Sequence, residues 1–187
     1  MAMKSLPSQK FLHQCFDYDQ HTGILTWKVR PRVHFLTAQA WKVWNCRFAG
    51  KAAGCIIHGY VSVVLTYRNQ RSPIGAHRIC WALVTGAWPK DEIDHRNGVR
   101  ADNRLENLRE ATVAENAQNN KAHVDSTTGF LGIHWHKKQQ KWRATIRVGQ
   151  HRHHLGLFST PEAAHAAYIK AKARLHSFQP ILRGRFQ

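Results

Sequence analysis

Hydrophobic positions change period several times along the chain, and each change marks an element. In Gln9 to Phe16 (QKFLHQCF), Phe11, Leu12, Cys15 and Phe16 fall on one face of a short helix. A turn at His21-Thr22-Gly23 then precedes a strand from Ile24 to Lys28. Residues 33–54 hold Trp41, Trp44 and Phe48 with no clean period and predict only a short helix near Ala38 to Trp44. Tyr60 to Tyr67 (YVSVVLTY) is filled with β-branched residues and reads as a strand, with Arg68-Asn69-Gln70 turning the chain into a partner at Ser72 to Ala76. Helical spacing returns at His77 to Thr85, where Ile79, Ala82 and Leu83 form the buried side and Gly86 and Pro89 end the helix.

The C-terminal third follows a different pattern. Trp142 to Val148 alternates, with Trp142, Ala144, Ile146 and Val148 on one face and Arg143, Thr145 and Arg147 on the other. Ile133 to His136 and Arg152 to Phe158 flank it as partners in a three-stranded antiparallel sheet. Ser159-x-x-Glu162 with Pro161 starts a helix, in which Ala164, Ala167, Tyr168, Ala171 and Leu175 recur at helical spacing and pack on the apolar face of the sheet. Before this unit, His123 to Gly129 (HVDSTTG) is polar and turn-rich and reads as a linker. The expected class is α+β, with N-terminal β-hairpins leading into a strand-loop-strand-helix unit and then a three-stranded antiparallel sheet packed on one helix.

Charge narrows the partners. The 187 residues include 28 Lys and Arg against 11 Asp and Glu, a formal net charge of +17, with 14 His besides. Self-repulsion on that scale opposes compaction and points to a polyanionic partner. A membrane surface is disfavoured, because the chain has no apolar run of about 18 residues and no amphipathic lysine helix. Nucleic acid is left, and charge alone does not separate duplex DNA from RNA. Cys15, Cys46, Cys55 and Cys80 form no CxxC pair, so neither a structural zinc nor a disulfide framework is expected. The N-terminal MAMKSLPSQK lacks an apolar signal core, which predicts a cytoplasmic protein.

The chemistry concentrates between Glu92 and Asn120. Asp94 and His95 end a short apolar strand, Asn97-Gly98 is a turn dipeptide, Asn103 to Glu106 has the spacing of one helical turn, and Leu108 to Thr112 returns as a second strand. Thr112-x-x-Glu115 is a capping box that starts a helix near Val113 and puts Asn116 in its first turn. Packed so, Asp94 and Asn116 would lie side by side with His95 beside them. One carboxylate and one amide oxygen suit a hard cation such as magnesium, which keeps several waters. Neutral His95 would take the proton of an attacking water. Asn107 would hydrogen-bond the imidazole or brace its loop.

The pattern DH-x11-N-x8-N, with His77-Arg78 before it and NRLENLR-x2-T-x2-EN around it, closely resembles the HNH (His-Asn-His) nucleases of the ββα-metal class, especially those of phages and mobile introns. The resemblance covers about Ala76 to Lys121. It implies Asp94 and Asn116 as ligands of a divalent metal, Mg2+ with Mn2+ as an alternative, His95 as general base and Asn107 as the middle Asn. It also implies a homing-type DNA endonuclease of a phage-infected bacterial cell that leaves 5' phosphate and 3' hydroxyl. One site per chain makes a nick the product of a monomer, with double-strand cleavage needing a dimer or a second visit, and the expected state is a monomer or weak dimer. His77 and Arg78 read as structural or phosphate-facing, and Lys28, Arg30 and Arg32 around Pro31 as either a solvated surface loop or phosphate contacts. A catalytically idle DNA-binding regulator or architectural protein is the competing function.

GFLGIHWHKKQQKWRATIRV and HLGLFSTPEAAHAAYIKA are similar to the APETALA2/ethylene-response DNA-binding domain. That likeness implies a DNA-facing sheet bearing His134, His136, Arg143, Thr145, Arg147, Arg152 and His154. From Gly129 to Phe178 only Glu162 is acidic, against nine Lys and Arg. Several arginines of the plant domain are His here, so no sequence preference carries over. Trp135 and Trp142 read as core. The implied domains are a nuclease over 1–122, a linker over 123–129 and a DNA-binding domain over 130–187.

Overall fold

A computed structural model describes residues 5–118 and 128–176. The fold is α+β: among the described residues, five α-helices accompany ten short strands gathered into four antiparallel sheets. The chain divides into two compact units, Met1–Ala111 and Thr112–Gln187.

The first unit opens with helix α1 (Gln9–Cys15), where the Ser8 hydroxyl accepts from the Phe11 N–H and Leu12 and Cys15 face inward. Strands β1 (Phe16–Asp19) and β2 (Ile24–Trp27) pair antiparallel, Phe16 opposite Trp27. β1 is an addition to the sequence reading, and Asp19 closes its hairpin by accepting from the His21 N–H at 2.9 Å and, through its carbonyl, from the Gly23 N–H at 2.8 Å. Gly23 has a φ of +75° and lies so close to a distant loop that a Cβ there would meet Arg104 N at 2.6 Å and Asn103 C at 2.7 Å. Only glycine serves at that hairpin tip.

Helix α2 (Ala38–Phe48) runs a full turn beyond its expected end, capped by the Thr37 hydroxyl. Trp41, Trp44 and Phe48 are in fact spaced i, i+3 and i+7, and exposed Val43 obscures the stripe. A three-stranded sheet follows in the order β3 (Cys55–Ile57), β4 (Tyr60–Tyr67), β5 (Gln70–Gly75). Helix α3 (Ala76–Thr85) buries Ala76, Ile79, Cys80 and Ala82 and ends at Gly86 in the left-handed conformation. Strands β6 (Glu92–His95) and β7 (Leu108–Ala111) pair in a separate ribbon, with Asp94 opposite Arg109 and His95 opposite Leu108.

One apolar cluster joins these pieces. Leu12, Phe16, Trp27, Leu65 and Ile79 pack with Ile93 of β6 and Leu108 of β7. Each fully buried side chain of this size contributes about 1.5–3 kcal/mol. Ile93 and Leu108 share the face of the ribbon that bears His95, so this core anchors the strands that carry Asp94 and His95.

In the second unit, helix α4 (Val113–Gln118) begins with the predicted box: the Glu115 N–H donates to the Thr112 hydroxyl at 3.2 Å, and the Thr112 N–H donates to the Glu115 carboxylate at 2.8 Å. Strands β8 (Ile133–His136), β9 (Lys141–Val148) and β10 (His151–Phe158) form a sheet in the order β10-β9-β8. The register shifts between His154 and Gly156. Helix α5 (Pro161–Leu175) packs on one face through Ala164 and Tyr168, against Ile133, Ala144 and Ile146.

Two local expectations change here. The cap of α5 is Thr160, whose hydroxyl accepts from the Ala163 N–H at 3.2 Å, rather than Ser159. The inward face runs Ala164, Tyr168 and Lys172, whose long apolar stem lets it lie inside, while Leu175 in the last turn is 41% exposed. Most of the expected linker, residues 123–127, lies outside the described residues.

Candidate active site and nucleic-acid interface

β6 delivers two adjacent polar side chains into the protein. Asp94 is 5% exposed and His95 4%. Asp94 Oδ2 accepts from Arg109 Nε at 2.9 Å and Nη2 at 2.7 Å across the ribbon, a buried ion pair. His95 Nε2 lies 3.2 Å from Oδ1 of Asn103, itself 2% exposed. The rings of His77 and Tyr60 stand 5.3 and 5.9 Å from the imidazole. Burial is the main cause that holds His95 below the ordinary imidazole value, opposed by the Asn103 contact and the nearby Asp94 and Asp102. The ring is therefore neutral at neutral pH, as a base must be.

The loop between the two strands is fixed from within. Asn107 Oδ1 accepts from the Asn97 N–H at 2.9 Å, Asn107 Nδ2 donates to the Asp102 carbonyl at 2.7 Å, and the Asn107 carbonyl accepts from the Arg96 N–H at 2.8 Å. Arg104 and Asn97 donate to the Asp102 carboxylate, with Arg104 the larger cause that pushes it down to about 2. Of the two tasks foreseen for Asn107, the structure contains the bracing one, and the side chain against His95 is Asn103. Sequence reading passed over Asn103 because an Asn before a helical turn reads as a cap.

Asp94, His95 and Asn107 are brought together within the first unit. Asn116 lies on α4 of the second unit, its N–H donating to the Thr112 carbonyl at 2.8 Å. No group of three or more His, Cys, Asp or Glu side chains converges among the described residues. A carboxylate and an amide oxygen are the kind of donors that a hard cation would take while keeping most of its own water.

Burial of two histidines makes an acid-stability prediction. His77 is pushed down to about 4 by burial, then by the charges of His95 and Arg78, and His34 to about 4 by burial, then by Arg30. Unfolded, both titrate near 6.5, so between about 6.5 and 4 the unfolded chain holds more protons than the folded one. Stability is fully present above that window and falls as pH drops through it. Thermal melts should show a midpoint lower by at least about 5 °C at pH 4.5 than at pH 7; equal midpoints would contradict it.

The expected nucleic-acid contacts divide by exposure. Arg30 is not a surface contact: it is 3% exposed, with its guanidinium 4.9 to 6.0 Å from the rings of Phe11, Trp27, Phe35 and Trp44. Its basic character marks an internal cation-aromatic cage rather than a surface. Lys28 pairs with Asp17 at 3.0 Å, and Arg32 donates to the Phe35 carbonyl. Arg78 donates to the carbonyls of Asp91 and Pro89, tying down the approach to β6.

On the C-terminal sheet, the face opposite α5 carries His134 beside Arg143 and Arg147 beside Arg152. His134, Arg147, Arg152 and His154 are exposed, and His136 and Arg143 are half-buried. Thr145 departs from expectation: it is 9% exposed, and its hydroxyl lies 3.4 Å from the Gly132 carbonyl. Trp142 packs on the core as expected, while Trp135, in edge-to-face contact with it, is 42% exposed.

Residues 75–118 match the HNH endonuclease family, a span that holds β6, the braced loop, β7 and α4 and ends before the C-terminal sheet. The chain is also 35% identical over 78 residues to Protein 3.8 of Escherichia phage T7. That similarity covers 41% of this chain and 64% of the phage protein, just under two thirds of its length. No solved structure matches the chain. No helix among the described residues is long and apolar enough to cross a membrane.

Proposed function

We propose that this protein is a metal-dependent, site-directed DNA endonuclease of the homing type that nicks one strand, acting in the cytoplasm of a phage-infected bacterial cell. The observation that carries this reading is the buried Asp94-His95 pair at the end of β6, set against a loop braced by Asn107, inside the span that matches the HNH endonuclease family.

Each residue has a distinct task. Neutral His95 accepts the proton of the water that attacks phosphorus, and Asn107 keeps the loop beside it from moving. Asp94 and, by the family pattern, Asn116 would hold a divalent cation, Mg2+ or Mn2+, which supplies positive charge at the scissile phosphate and the departing 3' oxygen. The product is a 5' phosphate and a 3' hydroxyl. With one such site per chain, a nick is the product of one monomer, and a double-strand break needs a dimer or a second visit. Supercoiled plasmid should be nicked by the native protein with Mg2+ and left intact with EDTA.

The C-terminal sheet is the grip in this reading, an APETALA2-like duplex binder behind a linker near 123–129. A narrow antiparallel sheet with arginines on its outer face suits a major groove or flanking phosphates. Arg147→Ala and Arg152→Ala should each weaken DNA binding and reduce the slope of log affinity against log salt by about 1. Unchanged slopes would remove this face from the interface.

One observation favours a second reading, a DNA-binding regulator or architectural protein with an idle site: Oδ2 of Asp94 is already taken by Arg109. A native protein that shifts duplex DNA yet cuts none with Mg2+, Mn2+ or Co2+ would establish it. Preference for duplex RNA in competition would instead redirect both readings.

A further inference from the structure

We infer that Asn103 is the positioning residue of the His95 imidazole, and that the β1–β2 hairpin is the clamp that holds Asn103 to this task. The inference rests on the reading of His95 as the general base. Oδ1 of Asn103 and Nε2 of His95 are 3.2 Å apart in a site where both residues are at most 4% exposed. A carbonyl oxygen there accepts, so Nε2 carries the ring proton and Nδ1 keeps the lone pair with which the ring acts as base. Turned by half a rotation, the amide would donate to Nε2 and consume the lone pair at that end instead.

What fixes Asn103 comes from two sides. From the N-terminal hairpin, the Tyr18 hydroxyl donates to the Asn103 carbonyl at 2.6 Å, and the Gln20 carbonyl accepts from the Leu105 N–H at 3.1 Å. The tip of the same hairpin, Gly23, lies flat against the Asn103-Arg104 peptide. From the active-site loop, Asn107 Nδ2 holds the preceding carbonyl, that of Asp102. The backbone of Asn103 is thus gripped before, at and after the residue, and its side chain reaches the imidazole from a fixed base. Asp94 from β6, Tyr60 from β4, His77 from α3 and Asp102 and Arg100 from the loop are also polar or charged groups near the ring. On this account, residues 16–27 belong to the catalytic apparatus although none of them touches the reacting atoms.

Nitrogen chemical shifts of the histidine rings in the full-length, 15N-labelled protein at pH 8, where imidazoles are neutral, test this directly. Native His95 should appear as the Nε2–H tautomer. Asn103→Ala should give a mixture of tautomers, and Asn103→Asp, which keeps an acceptor oxygen, should restore the Nε2–H form. Tyr18→Phe, which removes one hydroxyl from the clamp, should move the same signals part of the way and serves if Asn103→Ala does not fold. Nicking by Asn103→Ala should fall at least about tenfold with half-saturating DNA unchanged. A native Nδ1–H tautomer, or a His95 signal unmoved in Asn103→Ala and Tyr18→Phe, would overturn the inference. The ring signals need no turnover: a correct tautomer in a protein that never nicks DNA would reject the nuclease reading and leave the Asn103 contact standing.

Discussion

Arg109→Met is expected to lower the unfolding free energy by about 3 kcal/mol, measured as a shift in urea midpoint at constant slope. The Arg109 and Asp94 side chains are 14% and 6% exposed, with two donors on one carboxylate oxygen at 2.7 and 2.9 Å. Removing the guanidinium takes both donors from a carboxylate that is only 6% exposed, and that desolvation penalty dominates the effect. Lys28 and Asp17 supply the contrast: their 3.0 Å ion pair has side chains 38% and 69% exposed. Water already solvates both partners there, so Asp17→Asn should change stability by less than about 1 kcal/mol. Arg109→Met within 1 kcal/mol of the native protein would mean that Asp94 is solvated in solution and that the site is more open than its geometry.

The reach of the sequence followed the reach of its local signals. The capping box at Thr112, the β-branched run of β4, the alternation in β9 and the strand that ends on His95 are written in neighbouring residues, and the structure has them with their expected partners. What could not be read depends on residues far apart in the chain. β1 is a strand because Trp27 and its neighbours pair with it, and Asn103 meets the imidazole because a hairpin more than eighty residues earlier holds its peptide. Arg30 misled for the same reason: nothing in Lys28 to Arg32 says that Phe11 and Trp44 will close over it. A basic residue in a loop reads as surface by default, and only the tertiary fold supplies the cage.

His95→Ala should reduce Mg2+-dependent nicking of supercoiled DNA by roughly 10²- to 10⁴-fold, the range that a positioned general base contributes. The loss should fall on turnover rather than on affinity. His95 is 4% exposed at the bottom of its site, whereas the arginines assigned to the DNA grip stand on the sheet of the other unit. Half-saturating DNA should therefore change by less than about twofold, which would place the lost interaction in the transition state. Asn107→Ala makes the useful comparison. It removes hydrogen bonds to Asn97 and Asp102, so activity and the thermal midpoint should fall together, whereas in His95→Ala activity falls much further than stability. Equal nicking by native protein and His95→Ala would exclude this imidazole as the base. Proton removal would then have to come from solvent or another group, and the buried ribbon would be a structural element beside a site located elsewhere.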